Sequence, residues 1–370
     1  MIIIEKAYKY RIYPNKIQQV NLNKTLGCAR FVYNYYLNKR KEIYENNKST
    51  FDYNKCCKDL TVLKTEIVWL AEAESTALQS SLRNLDNAFK DFFKAGKGYP
   101  KFKSKKTNRF SYTSKCTNGN IQYLGKVIKL PKIGMIKTRN KLVPEGRIIS
   151  ATVTKEPSGK YFVSILCTDV PEKPLLKTNK NIGIDLGIKD FATLSNLDKI
   201  PNPKYLIKSE AKLAKLQREL SRKPKGSSNR NKARIKIARL NEKISNQRKD
   251  FLQKLSTKLI RNFDVICIEN LEVDNMIKNH KLAKNIADVS WSEFTRQLEY
   301  KSNWYGRQVV KVDTWYASSQ ICHVCNCKDP ITKDLKVRNW KCPVCGSILD
   351  RDTNAAINIL NKGLRILEVA

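Results

Sequence analysis

Two cysteine pairs followed at once by an acidic helix start constrain this chain more than any other feature. Residues 321–325 read ICHVC, a 16-residue spacer follows Cys325, and residues 342–360 read CPVCGSILDRDTNAAINIL. Cys322-x2-Cys325 and Cys342-x2-Cys345 have zinc-ribbon spacing, in which each CxxC hairpin supplies two thiolates to one tetrahedral ion. Gly346 suits the tight turn of such a knuckle. Cys327 and His323 lie close enough to compete, but the regular spacing favours Cys325. Four thiolates close the coordination sphere, so this zinc is expected to be structural. Directly behind it stand Asp350, Arg351 and Asp352, then Thr353, Asn354, Ala355 and Ala356. An aspartate here can be an N-cap. As a site residue Asp352 is preferred, because Asp350 lies nearer the cysteines. The two alanines would let the helix approach a sheet closely.

Two further acids sit on apolar strands upstream. In Asn181–Ser195, NIGIDLGIKDFATLS, Ile182, Ile184 and Leu186 alternate with Gly183, Asp185 and Gly187. A strand with this pattern has one apolar face and shows a carboxylate between two glycines on the other. The glycines are expected to leave room beside Asp185 for metal ions and a phosphate backbone. The plainer alternative is an edge-strand aspartate beside a turn. In DVICIENL (264–271), four apolar residues form a buried strand with Glu269 at its C-terminal end, where open α/β sheets place their sites. The alternative is a solvent-facing strand exit. Three carboxylates from separate segments suit phosphodiester hydrolysis. Two Mg²⁺ ions about 4 Å apart, held by such acids, activate a water and stabilise the leaving 3′ oxygen. Histidine has little part in this chemistry here, since the chain has only His280 and His323.

The charge balance names the substrate class. The 370 residues carry 71 Lys+Arg against 34 Asp+Glu, a net charge of +37. Such a charge opposes compaction unless a polyanion neutralises it, which points to nucleic acid. From Lys204 to Arg261 there are 19 basic residues and four acids, in two helices parted at Gly226, Ser227 and Ser228. A phosphate-facing ridge explains this better than a solvated pair. The eleven cysteines form no disulfide framework beyond the paired set, which suits a reducing cytosol. No apolar run is long enough for a membrane span, and the N-terminus is charged too soon for a signal peptide.

The N-terminal half reads differently. Residues 7–13 alternate as a half-buried strand ended by Pro14. A helix follows over 16–46, with Ile17, Val20, Ala29, Val32 and Tyr36 as candidate core positions. A second helix carries the stripe Leu78, Leu82, Leu85, Phe89 and Phe92 and ends near Gly96 and Gly98. The loop YPKFKSKKTN (99–108) pairs Tyr99 and Phe102 with lysines and is expected to contact RNA or DNA. Short strands over Phe110–Tyr112, Lys126–Leu130, Met135–Thr138, Ile148–Thr154 and Tyr161–Cys167 suggest a small β-barrel or sandwich. The helical block is then an insert between its first strand and the rest. Residues 171–180 read as a linker into an α/β region.

GIDLGIKDFATLS, IENLEVDNM, the four-cysteine module and DRDTNAAINIL, in this order, resemble the TnpB (OrfB) proteins of small insertion sequences, relatives of type V CRISPR effectors. ARFVYNYYL (29–37), YPKFKSKK (99–106), NQRKDFLQKLS (246–256), WSEFTRQLEYKSNWYG (291–306) and VDTWYASSQICHVC (312–325) extend the resemblance over nearly the whole chain. It implies an α/β plus β-barrel architecture. An RNase H-like (RuvC) nuclease domain over 179–370 would carry a zinc-ribbon insert at 318–348. A wedge β-barrel, 1–14 and 108–178, would precede it with a helical recognition insert at 15–107. The implied catalytic and Mg²⁺-binding triad is Asp185, Glu269 and Asp352, with two Mg²⁺ ions or Mn²⁺ in their place, beside zinc on Cys322, Cys325, Cys342 and Cys345. The implied activity is RNA-guided cleavage of double-stranded target DNA next to a short adjacent motif. The guide RNA would derive from the transposon end. The protein would be a monomer in the bacterial cytoplasm, at the nucleoid. The alternatives are an RNA-guided DNA-binding regulator without cleavage and a guide-independent transposase or resolvase. Three positions depart from the family pattern: Asn326 replaces a glycine, Cys327 is extra, and Gln253 stands where many members carry histidine.

Overall fold

A computed structural model describes residues 4–105, 110–140, 142–279, 282–334 and 336–369. It divides into two compact units, Met1–Pro171 and Glu172–Ala370.

The first unit opens with β1 (Ile4–Tyr13), followed by α1 (Lys16–Asn47), α2 (Tyr53–Glu66) and α3 (Ser75–Ala95). Asn15 starts α1 with a capping box: its side chain accepts from the Gln18 amide, and the Gln18 side chain accepts from the Asn15 amide. Glu74 caps α3, and Gly96, at φ 62°, ends it in the left-handed conformation. The helices bury Val32, Tyr36, Leu60, Leu78, Leu82 and Leu85 in a common core. Ala29, Val32 and Tyr36 are buried as their spacing suggests, but Ile17 and Val20 are 73% and 52% exposed. The first turns of α1 run ahead of the helical core, whose α1 contribution begins at Cys28. The loop after α3 sets Tyr99 edge-on to Phe89 and Phe92, with Phe102 exposed. Residues 106–108 of that basic loop lie outside the described residues.

Seven strands complete this unit: β1 with β2 (Phe110–Lys115), β3 (Gln122–Tyr123), β4 (Val127–Leu130), β5 (Gly134–Thr138), β6 (Arg147–Lys155) and β7 (Tyr161–Val170). Their order is β2-β6-β7-β1-β5-β4-β3, antiparallel throughout. Tyr8, Tyr10 and Ile12 point inward while Lys9 and Arg11 face out. The sheet is curled. In a flat sheet β1 and β3, three strands apart, would lie about 14 Å from each other. Instead Tyr10 and Tyr123 stack with ring centroids 4.5 Å apart. The described residues record no ladder between the edge strands β2 and β3.

The second unit is built on β8 (Asn181–Leu186), β9 (Asp190–Leu194) and β10 (Lys199–Pro201), then α4 (Tyr205–Ser221), α5 (Ser228–Asn262) and β11 (Val265–Glu269). Next come α6 (Val273–Met276), α7 (Ala283–Val289), α8 (Trp291–Tyr305) and β12 (Gln308–Val312). The hairpin β13 (Asn339–Lys341) and β14 (Ile348–Asp350) leads into α9 (Arg351–Val369). The main sheet has the order β10-β9-β8-β11-β12. β8 runs antiparallel to β9 and parallel to β11, which is parallel to β12. The sheet is therefore mixed and five-stranded, in keeping with the expected α/β region. On one face Ile182, Ile184 and Leu186 meet Leu252, Leu255 and Leu259 of α5 and Phe294 and Leu298 of α8. On the other, Cys267, Val310 and Val312 meet Ile359 of α9.

The basic helices part where the glycine and serines stand. Gly226 has φ 86°, and Ser227 caps α5 through the Arg230 amide. Two of their arginines act within the fold: Arg230 donates to the Leu220 and Lys223 carbonyls, and Arg248 pairs with Asp288 at 2.7 Å. The 171–180 stretch is not a free linker, contrary to its composition. Asp264 accepts from the Thr178 amide and hydroxyl and the Asn179 amide, and pairs with Arg307 at 2.7 Å. Arg307 also donates to the Leu176 carbonyl, so residues 175–179 are fastened to the second unit. No helix among the described residues is long and apolar enough to cross a membrane.

Candidate active site and cysteine knuckle

Asp185 and Glu269 occupy equivalent places on neighbouring parallel strands. The β8–β11 ladder ends at Ile184↔Ile268, and each acid is the next residue. Both therefore stand at the C-terminal end of the central strands, where the sheet opens. α9 brings Asp352 to the same end because it lies directly against β8. A Cβ on Gly183 would fall 2.1 Å from the Ala356 carbonyl oxygen and 2.7 Å from the Leu360 nitrogen. Ala355 and Ala356 are fully buried at this crossing. The expected close approach is therefore present. The space at the flanking glycines is not free for a ligand, contrary to expectation: Gly183 admits the α9 backbone, and Gly187 admits the Asp190 carbonyl, 2.7 Å from a built Cβ.

Electrostatics tie the three acids together. Burial, then the charges of Glu269 and Asp352, push Asp185 well above the usual carboxylate range, and Arg351 and Arg338 only partly offset them. Among the described residues no donor hydrogen-bonds the Asp185 carboxylate. Burial also raises Glu269, against the Ser318 hydroxyl that donates to it at 2.7 Å. Asp352 is held by Arg338, whose Nη1 lies 3.2 Å from both carboxylate oxygens. The three acids share one end of the sheet without closing to the chelating spacing of the cysteine set. A half-buried carboxylate without a donor, flanked by two more, fits a hard divalent cation as counter-charge.

The N-cap of α9 is Asp350, not Asp352. Asp350 accepts from the Thr353 amide at 2.9 Å and pairs with Lys199 at 2.9 Å. Partial burial works against it, but these bonds hold its carboxyl below the ordinary value. Asp352 lies inside the first turn of α9. The two aspartates thus differ in their partners: Asp350 caps the helix and pairs with Lys199, while Asp352 meets Arg338.

Three polar residues outside the acidic set organise the site. Asn354 and Asn358, one turn apart on α9 and both buried, donate to the Ile321 carbonyl at 2.7 and 2.6 Å. Asn358 also donates to the Ser318 carbonyl at 2.8 Å. This clamp places Ser318 against Glu269 and leads into the cysteines. Its signal in sequence is NAAIN, two asparagines four apart in an apolar helix. Arg338 carried no such signal, lying inside the spacer between cysteine pairs.

The sulfurs of Cys322, Cys325, Cys342 and Cys345 all lie within 4.8 Å of one another. Cys322 and Cys345 are 3.6 Å apart, Cys325 and Cys342 3.5 Å. A tetrahedral ion with Zn–S bonds of about 2.3 Å requires S···S near ~3.8 Å, so the donor set fits zinc. The Ser347 hydroxyl and amide bring the Cys345 thiol to about 6, whereas at Cys325 the Cys327 backbone bond is outweighed by burial and the neighbouring sulfurs, which push the thiol up. Cys327 stays outside the set, and the His323 ring bonds Asn354 at 3.0 Å. Asn326 has φ 62°, matching Gly346 at φ 71° in the second knuckle. Asparagine is the residue that best replaces glycine in this conformation, so the departure at 326 keeps the knuckle geometry. Asn326→Gly is expected to leave zinc content at about one per chain, whereas Asn326→Val, strained by about 1–2 kcal/mol, lowers the thermal midpoint. Metal analysis with a melting curve checks this, and equal melting of both variants would contradict it.

Comparison with known proteins identifies relatives of the chain. Residues 164–280 match an OrfB family model described as "Probable transposase", and residues 291–359 match one described as "Cas12f1-like, TNB domain". Residues 1–49 match a "Helix-turn-helix domain" model, although here they form β1 and the single long helix α1. A Streptomyces pristinaespiralis protein named "Putative RNA-guided DNA endonuclease" is 42% identical over 98% of this chain and 90% of its own length. The Escherichia coli K12 protein "Putative RNA-guided DNA endonuclease InsQ" is 33% identical, over 98% and 93%. A cryo-EM structure of a Cas12f1–sgRNA–target DNA complex covers 97% of this chain and 99% of its own, at TM-score 0.59 and 14% identity, and so shares the fold. With relatives this similar along almost its full length, the chain belongs to the TnpB (OrfB) family.

Proposed function

We propose that this protein is an RNA-guided DNA endonuclease that cuts target DNA at Asp185, Glu269 and Asp352. The observation that carries the reading is the gathering of these three acids, from β8, β11 and α9, at one open end of the sheet. They would hold two Mg²⁺ ions, or Mn²⁺. Bound there, such cations polarise the scissile phosphodiester and lower the pKa of the attacking water. Ser318 fixes one Glu269 oxygen, so the carboxylate presents the other in a set orientation. The Asn354 and Asn358 clamp keeps that hydroxyl in place. Arg338 neutralises Asp352 in the resting protein and is a guanidinium at hand for a phosphate oxygen of the DNA. Zinc closed on the four thiolates would hold the β13–β14 hairpin, which begins one residue after Arg338.

The guide would be an RNA from the transposon end, paired with one strand of a double-stranded target beside a short adjacent motif. The protein would hold that heteroduplex by its backbone while base pairing reads sequence. The net charge of +37 and the basic α4–α5 pair suit this duty. In this reading the curled sheet is a wedge barrel, 1–14 and 108–178, and 15–107 is the recognition insert. Residues 179–370 are the nuclease domain with its zinc ribbon at 318–348. We place the protein in the bacterial cytoplasm, acting as a monomer at the nucleoid. The test is cleavage of guide-matched DNA by the purified ribonucleoprotein. Mg²⁺ should support cutting and a chelator stop it. Binding of matched DNA without nicking in either Mg²⁺ or Mn²⁺ would instead identify a regulator.

A further inference from the structure

We infer that Trp315 stacks on a base of the DNA strand entering the carboxylate site and positions that strand for cutting. The inference rests on the nuclease reading above. Trp315 is 86% exposed, while Trp291 and Trp340 are buried. Leaving an indole in water forfeits the burial that large apolar side chains gain on folding. Its surroundings are nevertheless ordered. Asp313 accepts from the Trp315 amide at 2.8 Å and, through its carbonyl, from the Tyr316 amide at 3.1 Å. The Thr314 hydroxyl donates to the Asn270 carbonyl, and the Asn270 amide to the Val312 carbonyl. The turn is thus tied on one side to the residue after Glu269. On the other, Ser318 donates to Glu269 itself. An aromatic ring on a turn fastened at one end to Glu269 and at the other to the residue after it is presented, not stray.

The occupant follows from charge and shape. A chain with +37 net charge and a carboxylate site for phosphodiesters meets a polyanion whose flat rings become exposed when strands separate. Indole is a stacking surface for any base and therefore tolerates every target sequence, as a guide-programmed enzyme requires. Trp315 acts through position and does not touch the reacting atoms.

The experiment compares wild type, Trp315→Ala and Trp315→Phe as full guide complexes in single-turnover cleavage. Substrates are matched DNA and the same DNA with single abasic sites moved along each strand. Trp315→Ala should cut about 5- to 100-fold more slowly with unchanged guide and target binding, and Trp315→Phe should recover most of the rate. At one or two abasic positions wild type should fall to the Trp315→Ala rate, and the variant should fall no further. Equal cutting by wild type and Trp315→Ala would overturn the inference. So would a Phe variant as slow as Ala, or abasic penalties identical in both proteins at every position. Those failures leave wild-type cutting intact. A wild-type complex that never cuts matched DNA would instead sink the nuclease reading, and this role with it.

Discussion

Replacing Asp185 with asparagine is expected to lower target cleavage by about 10³-fold or more while guide-RNA binding survives. The reason is position: Asp185 is the acid on which both other carboxylates act, so it is central to any cation they hold. Losing a ligand of that kind removes several kcal/mol of transition-state stabilisation, roughly three decades in rate. The same substitution should raise the thermal midpoint of the metal-free protein. Burial and like charges raise the folded pKa of Asp185 above its unfolded value. Below the unfolded pKa, near ~4, both states are protonated and nothing is lost. As pH rises through the folded pKa, ionisation inside the fold becomes unfavourable and wild type loses stability. In chelator, Asp185→Asn should therefore melt above wild type at pH 8, and the gap should close towards about pH 4. Cleavage by Asp185→Asn at the wild-type rate would remove the acid from the mechanism. A variant that melts below wild type at pH 8 would contradict the electrostatic account.

Gly183→Ala is the second large effect, and it is structural. The added methyl would meet the backbone of α9 at Ala356 and Leu360, and backbone cannot swing aside as a side chain can. The helix must retreat from β8 and take Asp352, Asn354 and Asn358 with it. Overpacking at such a contact costs about 3 kcal/mol, near ~10 °C of melting temperature for a unit of this size. Cleavage should fall with it, because the third acid leaves the sheet end. Gly27→Ala is the control. Gly27 sits inside α1 with nothing within 4 Å of a built Cβ, so the same change should stabilise by about 0.5–1 kcal/mol. Calorimetry on both variants decides it, and a neutral Gly183→Ala would mean that α9 does not lie so close to β8.

Patterns with a period were legible in the sequence. The alternation of Ile182, Ile184 and Leu186 gave β8, and the Leu78–Leu82–Leu85 stripe gave α3. The paired cysteines came together because CxxC spacing is set by local turn geometry. What the residues could not show was tertiary accounting. Ile17 and Val20 have helical spacing but lie beyond the core that would bury them. Residues 171–180 have a linker composition, yet Asp264 and Arg307, far away in sequence, bind their backbone. Gly183 invited a ligand on paper, whereas a helix 170 or so residues later fills its space. Arg338 carries no sequence signal for a related reason: an arginine in a basic chain announces nothing until a carboxylate is placed beside it.

The most direct test of the account is a guide exchange. The purified complex would be reconstituted with RNAs that differ only in their target-pairing segment and offered a mixture of DNAs in Mg²⁺. Cutting should move to whichever DNA matches the supplied guide and disappear without RNA. Cutting at the same positions whatever the guide, or in its absence, would contradict it.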